Sequence, residues 1–596
     1  MSRSVRAHLA FVGVAVLVCL ALALAPAEAK KPASFADLPL AQLFGIKGKE
    51  SGGTCVGCTL IVGIIEQLGE VRNETVTQTV EKVCQLLPAG LLRTTCDETI
   101  ALYGATIISM LENRYKADDV CLKIGLCWNA TCRLFPKSGT FTPPSAAERE
   151  KILSTWKTMS LLKMVDMIKL NKNNNDKRDV GESPWQWIVD YITKLVNSHG
   201  PWYDLDSDKF GALTQTLRGT FWRGKDCNDF ASDIYPGRSK TNRGPEFDHN
   251  CNGISGTDPQ GRSYEDLYCA GTKQYGLAVL GDSATAHFHI PPEYVTASLI
   301  QDNTYHNMLD ILMDEFDWPM APTGYMNLTW PGTPQGPMTS IYQKMRQRNL
   351  CMHRDFQNIG VNGARTGAMA DEIMFTLGRN QNTDHPLILN YALIGNDVCN
   401  GHYGTGSMTT PPQFYANVMR ALNHLDTVLP AGSHVVFTGL VDGRVLYDAL
   451  ANRLHPLGLL HGDVTYSHYY DFMNCLQTSP CFGWMNSNAY WRNATTARAE
   501  ELNQVYSQII ANHTFKNFDM YYFEPPLKAV IEQWNKAGGE TWQLIEPVDG
   551  FHPNQLANAL FAEYQWGVLV SKFPQLVGDI NPNNAQILAR FGDQGT

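Results

Sequence analysis

A serine at a sharp chain reversal, and an acid and a base three residues apart, could together carry out acyl transfer. The apolar run Tyr275–Leu280 breaks at Gly281-Asp282-Ser283, and far downstream Asp549-Gly550-Phe551-His552 supplies a carboxylate and an imidazole. A serine hydroxyl is a weak nucleophile until an imidazole takes its proton, and a carboxylate holds that imidazole in the useful tautomer. The developing oxyanion then needs neutral donors; a glycine lets the backbone come close and an asparagine offers an amide. Each fragment alone has a plain structural reading, because Gly-Asp-Ser and Gly-Asn-Asp are common turns and Asp-x-x-His can cap a helix. Taken in order, three of them at the ends of predicted strands, they point to one site. His287 and His289 could share a metal, but with no third ligand near them in the chain they read as pocket-lining or hydrogen-bonding groups.

Four stretches that read as buried strands must position these residues: Tyr275–Leu280, Phe356–Gly360, Pro386–Ile394 and His434–Val441, each followed by polar residues. Helical stretches at Pro411–Leu429 and Thr496–Asn512 lie between and after them. Strands alternating with helices predict a parallel, doubly wound α/β sheet with its chemistry at the carboxyl ends of the strands.

Gly281-Asp282-Ser283, the glycine of Asn358-Ile-Gly-Val-Asn-Gly363, Gly395-Asn396-Asp397 and Asp549-x-x-His552 resemble, in order, the four blocks of the SGNH (GDSL-type) hydrolases. That resemblance implies a flavodoxin-like parallel sheet over residues 271–596. It also implies Ser283 as nucleophile, His552 as general base and Asp549 as the group orienting it. The Ser283 and Gly363 N–H groups and the Asn396 amide would form the oxyanion hole.

Upstream, the chain reads as several domains. Residues 1–29 form a signal peptide pattern, with Arg3 and Arg6 before the apolar stretch Leu9–Leu24 and small residues at Ala27-Glu28-Ala29. Residues 30–50 are a candidate propeptide, and no second run reads as long and apolar enough to span a bilayer. A secreted or endolysosomal protein is expected. The 15 cysteines suit an oxidising route, being an even set once Cys19 leaves with the leader, and sequons at Asn73, Asn129, Asn327, Asn493 and Asn512 offer glycosylation. A net charge of −10 argues against nucleic acid as a partner.

Residues 51–135 carry helical stripes (Leu60, Ile61, Ile64, Ile65, Leu68; Val76, Val80, Val83, Leu87; Ile100, Tyr103, Ile107, Ile108, Leu111) between six cysteines. Six cysteines alone leave the connectivity open. Their spacing resembles the saposin B family, which implies an all-α, disulfide-stapled domain with Cys55–Cys127, Cys58–Cys121 and Cys84–Cys96 paired. The same resemblance implies lipid handling and contact with a membrane or micelle. Cys132 is left over from the six; with seven more cysteines downstream it is expected to tether this domain to the catalytic part, a free thiol being the alternative. Residues 136–200 are a linker and helical connector in which Lys177-Arg178 offers a processing point, giving two disulfide-linked chains.

Residues 201–270 alternate acidic and amide side chains in the manner of calcium loops. The candidate ligands are Asp204, Asp206, Asp208 and Phe210; Asp226, Asn228, Asp229 and Asp233; and Asp248, Asn250, Asn252, Ile254, Asp258 and Glu265. A hard cation held by oxygen ligands, structural Ca2+, is expected in this cysteine-laced segment. The order of the three parts, with the runs Gly281–Pro292, Cys475–Cys481 and Trp542–Asn554, resembles the acyloxyacyl hydrolase family. This implies removal of secondary fatty acyl chains from the lipid A part of bacterial lipopolysaccharide. Two alternatives are a phospholipase or acyltransferase acting on glycerolipids, and a non-enzymatic lipid-binding protein.

Overall fold

The computed structural model of the chain describes residues 52–87, 91–137, 200–201, 203–212, 222–306 and 339–594, and positions 144, 145, 147, 148, 321 and 323. The expected leader, the propeptide, Lys177-Arg178 and Asn327 lie outside the described residues.

The cysteine-rich part is four helices, α1 (Gly52–Arg72), α2 (Val76–Val83), α3 (Leu91–Glu112) and α4 (Ala117–Lys123). Cys55–Cys127 and Cys58–Cys121 tie α1 to α4 and the turn after it, and Cys84–Cys96 ties the end of α2 to α3. Helix α2 starts on a Thr75–Gln78 capping box, which satisfies two end donors at once. Val62, Ile65, Leu68, Val80, Ile107 and Leu111 are buried, whereas Ile61, expected on the same inner stripe, is 56% exposed. By length and composition α1 could cross a bilayer, contrary to the sequence expectation, yet 61% of its apolar window is buried inside the protein.

The downstream part is built on a five-stranded, all-parallel sheet in the order β2-β1-β3-β4-β5. The strands are β1 (Gly276–Asp282), β2 (Phe356–Val361), β3 (Leu387–Ala392), β4 (Ser433–Thr438) and β5 (Phe518–Phe523). On one face, Leu389, Tyr391, Val435 and Phe437 share a core with α6 (Pro411–Val428) and α7 (Ala489–Asn512). The reason is periodic: Phe414, Val418, Leu422 and Leu425 fall on one side of α6 and are fully buried. On the other face, Leu277, Ile388 and Val436 pack with α5 (Ile341–Arg348) and α9 (Gln555–Lys572). Helix α8 (Leu527–Lys536) joins α9 through Val530, Ala557 and Phe561. Both faces are therefore covered, as a parallel sheet requires.

The two parts dock directly. Gln67 in α1 is buried and donates from Nε2 to the Leu457 carbonyl at 2.7 Å; Glu70 meets His461 at 2.9 Å and Arg72 meets Asp302 at 3.5 Å. Asp118 accepts from the N–H groups of Leu134 and Phe135, both at 2.9 Å, which folds the tail onto α4 beside Cys132. Cys132 is bonded to Cys475, 343 residues away in sequence. A trypsin-like protease cutting at Lys177-Arg178 is thus expected to leave one species on a non-reducing gel and two after reduction. Two species without reductant would contradict the bridge.

Candidate active site

Strand β1 delivers Asp282 to its carboxyl end, and the turn that follows carries Ser283. The Phe288 N–H closes this turn on the Ser283 carbonyl at 2.9 Å. Asp282 is buried and works locally: Oδ1 accepts from the Ala284 N–H at 3.1 Å and Oδ2 from the Ile394 N–H at 2.8 Å. Burial pushes its carboxyl up to about 6, against these donors. It thereby ties the serine turn to the Gly395-Asn396-Asp397 turn after β3.

Asp397 makes the next link. It is fully buried, and its carboxylate accepts from the Thr366 N–H (3.0 Å), the Thr366 hydroxyl (2.8 Å) and the Thr409 hydroxyl (2.6 Å). The turn containing Gly363 is so held against the turn containing Asn396. Gly363 lies two residues beyond Val361, the register partner of Asp282. It has φ +75°, and a Cβ added there would meet nothing within 4 Å, so the left-handed backbone, rather than close approach, favours glycine. Asp397→Ala is expected to lower kcat on a soluble ester by about tenfold to a hundredfold, because two donor-bearing turns lose register. Steady-state kinetics with KM and kcat separated checks this.

The acid and base arrive on the loop before α9. Asp549 Oδ1 accepts from the Phe551 (2.7 Å) and His552 (3.1 Å) N–H groups, while Oδ2 meets His552 Nδ1 at 2.6 Å. His552 Nε2 lies 2.8 Å from Ser283 Oγ. Gly550 has φ +62°, and a Cβ there would meet the Tyr470 hydroxyl at 2.7 Å, so only glycine fits. Ser283, Asp549 and His552 are all buried to 5–8% exposure, which shields a proton transfer along the row from water. Such a row can pass the serine proton to the imidazole and hold the resulting charge.

Ser283, Asn396 and His552 form part of the wall of an apolar pocket. Asn390, Ala392 and Thr438 line its sheet side, and Leu446, Ile531 and Phe561 its helical side. The pocket suits an acyl chain better than a polar substituent.

In the acidic segment the structure brings together Asp204, Asp206 and Asp229, and Asp206, Asp208 and Asp226, with carboxylate oxygens within 4.8 Å of one another. One buried oxygen on each of Asp206, Asp208 and Asp226 has no hydrogen-bond partner. Burial, then the neighbouring carboxylates, pushes Asp208 up to about 9 and Asp226 to about 7. These oxygens fit a hard cation. Phe210 and Asn228 donate backbone N–H groups to Asp208 and Asp226. Asp248, Asn250, Asn252 and Glu265 also converge, but the Asn250 and Asn252 amides bond Glu265, both at 3.0 Å, and the Ile254 N–H bonds the Asn252 side chain. Asp233 and Asp258, expected among the ligands, are instead held by Arg243 at 2.6 Å and Arg262 at 2.7 Å. A guanidinium already neutralises each of them. The segment also buttresses the sheet: the Gly224 N–H bonds the Phe356 carbonyl and Arg223 reaches Gln357, both on β2.

Of the sequon asparagines, Asn73, Asn493 and Asn512 are exposed, and Asn129 is half-buried with its side chain on Thr131. Sequence reasoning missed Glu546, which meets His289 at 2.6 Å in the interior, and it missed the roles of Asp282 and Asp397 as braces.

Comparisons with known proteins agree with this layout. Residues 54–177 match the Saposin-like domain and residues 277–564 match the GDSL-like Lipase/Acylhydrolase family. The chain is 43% identical over 554 residues to acyloxyacyl hydrolase of Mus musculus, covering 91% of this chain and 93% of that protein. The chain belongs to the acyloxyacyl hydrolase family. The family's Homo sapiens member is likewise 43% identical, over 558 residues, with the same shares of both chains covered. Saposin-C of Cavia porcellus is 29% identical over 76 residues, 12% of this chain and 93% of that one. Membership in the acyloxyacyl hydrolase family, with its lipase domain, makes this chain an ester-class hydrolase.

Proposed function

We propose that the enzyme releases secondary fatty acyl chains from the lipid A part of lipopolysaccharide, with Ser283 as nucleophile. The observation that carries the reading is the row Asp549–His552–Ser283, at 2.6 and 2.8 Å, opening on an apolar pocket. Ser283 Oγ attacks the ester carbonyl as its proton passes to His552 Nε2. The oxyanion is met by the Ser283 and Gly363 N–H groups and the Asn396 amide. As the ester C–O bond breaks, the leaving alkoxide oxygen takes the proton from His552 and departs as the alcohol; water, activated by the same imidazole, then frees the fatty acid and restores the serine.

An acyl chain packed in a micelle or membrane must be drawn out before a buried serine can reach it. The saposin-like helices supply a surface for this, with Ile61, Val71 and Leu102 at 41–56% exposure. In the hydrolase part, next in sequence to the His461 that meets Glu70, Leu459 and Leu460 are also exposed. Fixed to the hydrolase part by Cys132–Cys475, the saposin-like surface would keep extracted chains at high effective concentration. Seven disulfides among the described residues and the exposed sequon sites support a secreted or endolysosomal, glycosylated protein. Asp204, Asp206, Asp208, Asp226 and Asp229 would hold a structural Ca2+, which neutralises the crowded carboxylates and firms the β2 edge.

Fatty-acid release from purified lipopolysaccharide, run beside a phosphatidylcholine substrate, tests the proposal. Wild type is expected to release lipid A secondary chains at a kcat/KM at least tenfold above that for the phospholipid. A reversed ratio would favour a glycerolipid enzyme.

A further inference from the structure

A further buried carboxylate, beyond Asp282 and Asp397, lies beside the catalytic row. Glu546 is 1% exposed, and its Oε2 lies 2.6 Å from Nδ1 of His289, itself 5% exposed. Its Oε1 faces Nε2 of His287 at 3.7 Å, and the two imidazoles stack with centroids 6.0 Å apart. A carboxylate buried this deeply is costly without a cationic or hydrogen-bonding partner. Burial pushes the Glu546 carboxyl up, and the adjoining His289 opposes that rise.

The positions of the two partners in the chain give the pair its meaning. His289 stands six residues after Ser283, just past the turn closed by the Phe288 N–H on the Ser283 carbonyl. Phe288, between the two histidines, lays its ring 4.7 Å from that of His552. Glu546 begins the loop that bears the acid and base: its N–H donates to the His552 carbonyl at 2.8 Å, and its carbonyl accepts from the Gly550 N–H at 3.0 Å. One residue thus closes the loop of the base through its backbone and grips the loop of the nucleophile through its side chain. The Glu546–His289 contact spans these two short loops beside the reacting pair itself.

We propose that Glu546 and His289 are positioning residues, a buried strut that sets the distance between Ser283 Oγ and His552 Nε2. The proposal rests on the reading of Ser283 as the nucleophile that His552 activates. A strut of this kind acts on the approach of the reacting atoms and hardly on substrate capture, because neither side chain belongs to the pocket wall. Glu293, in the short 3-10 turn that follows and buried, also faces His289 and could partly replace the lost carboxylate, so both partners need to be varied.

The test uses the full-length protein with p-nitrophenyl butyrate, a soluble ester that needs no lipid surface. His289→Ala and Glu546→Gln are each expected to lower kcat by roughly thirtyfold to a hundredfold with KM within about threefold. Labelling of Ser283 by a fluorophosphonate should slow by a similar factor. His289→Asn, whose amide can donate from near the place of Nδ1, should recover most of the loss, a rescue that general destabilisation would not produce. The double variant should be no slower than the slower single, since both remove the same strut. Wild-type kcat in His289→Ala, with only a lower melting temperature, overturns the strut, as does an additive loss in the double variant. Hydrolysis surviving in Ser283→Ala would instead overturn the reading of Ser283 on which the strut depends.

Discussion

Ser283→Ala is expected to lower kcat for acyl ester hydrolysis by roughly 10⁴-fold or more, with KM little changed. The magnitude follows from how the site is arranged. His552 Nε2 lies 2.8 Å from Ser283 Oγ, and without that hydroxyl the acyl-enzyme route is lost outright. The residual rate would come from the oxyanion donors and the pocket, which remain. His552→Gln should cost about as much, and combining the two should add little, because the residues act as one unit. Asp549→Asn should cost roughly 10³–10⁴-fold: an amide at Oδ2 would favour the wrong tautomer of an imidazole now held at 2.6 Å. Single-turnover kinetics on a short soluble ester, with circular dichroism to verify folding, checks all three. A Ser283→Ala protein within tenfold of wild type would remove the nucleophile from the account.

The second large effect is on stability. Chelating divalent cations is expected to lower the melting temperature by about 10 °C. Binding at a thousandfold above Kd contributes about 4 kcal/mol, and each kcal/mol moves a domain of this size by a few degrees. Asp206, Asp208 and Asp226 carry buried, unpartnered oxygens within one small space, so the chelated protein keeps that repulsion. Asp208→Asn separates the two contributions by sign. With chelator it should be as stable as wild type or more so, having lost a carboxyl whose ionisation burial and the neighbouring carboxylates disfavour; with calcium it should forgo most of the gain. Because Arg223 and Gly224 join this segment to β2, the loss should appear in unfolding of the hydrolase part. Differential scanning calorimetry with and without millimolar calcium reads both arms. An identical melting curve in the two conditions would leave the carboxylates as a merely acidic loop.

What could be read from the sequence depended on how local the signal was. Four strands were legible because Leu277–Leu280, Leu387–Leu389 and Val435–Phe437 are buried and read as apolar runs, and Phe356 and Ile359 are buried at the ends of the fourth before its polar, glycine-bearing turn. Strand β5 was not: it is the sheet edge, and Asp519 to Tyr522 in Phe-Asp-Met-Tyr-Tyr-Phe are exposed or half-buried, which breaks the pattern. Ile61 has the spacing of an inner-stripe residue but faces outward, because α1 is covered by the hydrolase part as well as by its own domain. The Asp-x-x-His pair was visible because its hydrogen bonds are local. Glu546 was invisible because its partner is 257 residues away and nothing in Ile-Glu-Pro-Val announces a buried charge. Asp233 and Asp258 looked like ligands for the converse reason: composition counts carboxylates and does not show the arginines that occupy them.

The most direct measurement is the mass of the reacting residue. Wild type mixed with a slowly hydrolysed acyl ester, quenched in acid during turnover and digested, should yield the peptide bearing Ser283 increased by the mass of the acyl group, and the adduct should vanish as substrate is exhausted. Turnover with the acyl group on another residue, or with no acyl-enzyme while Ser283→Ala stays active, would contradict the account.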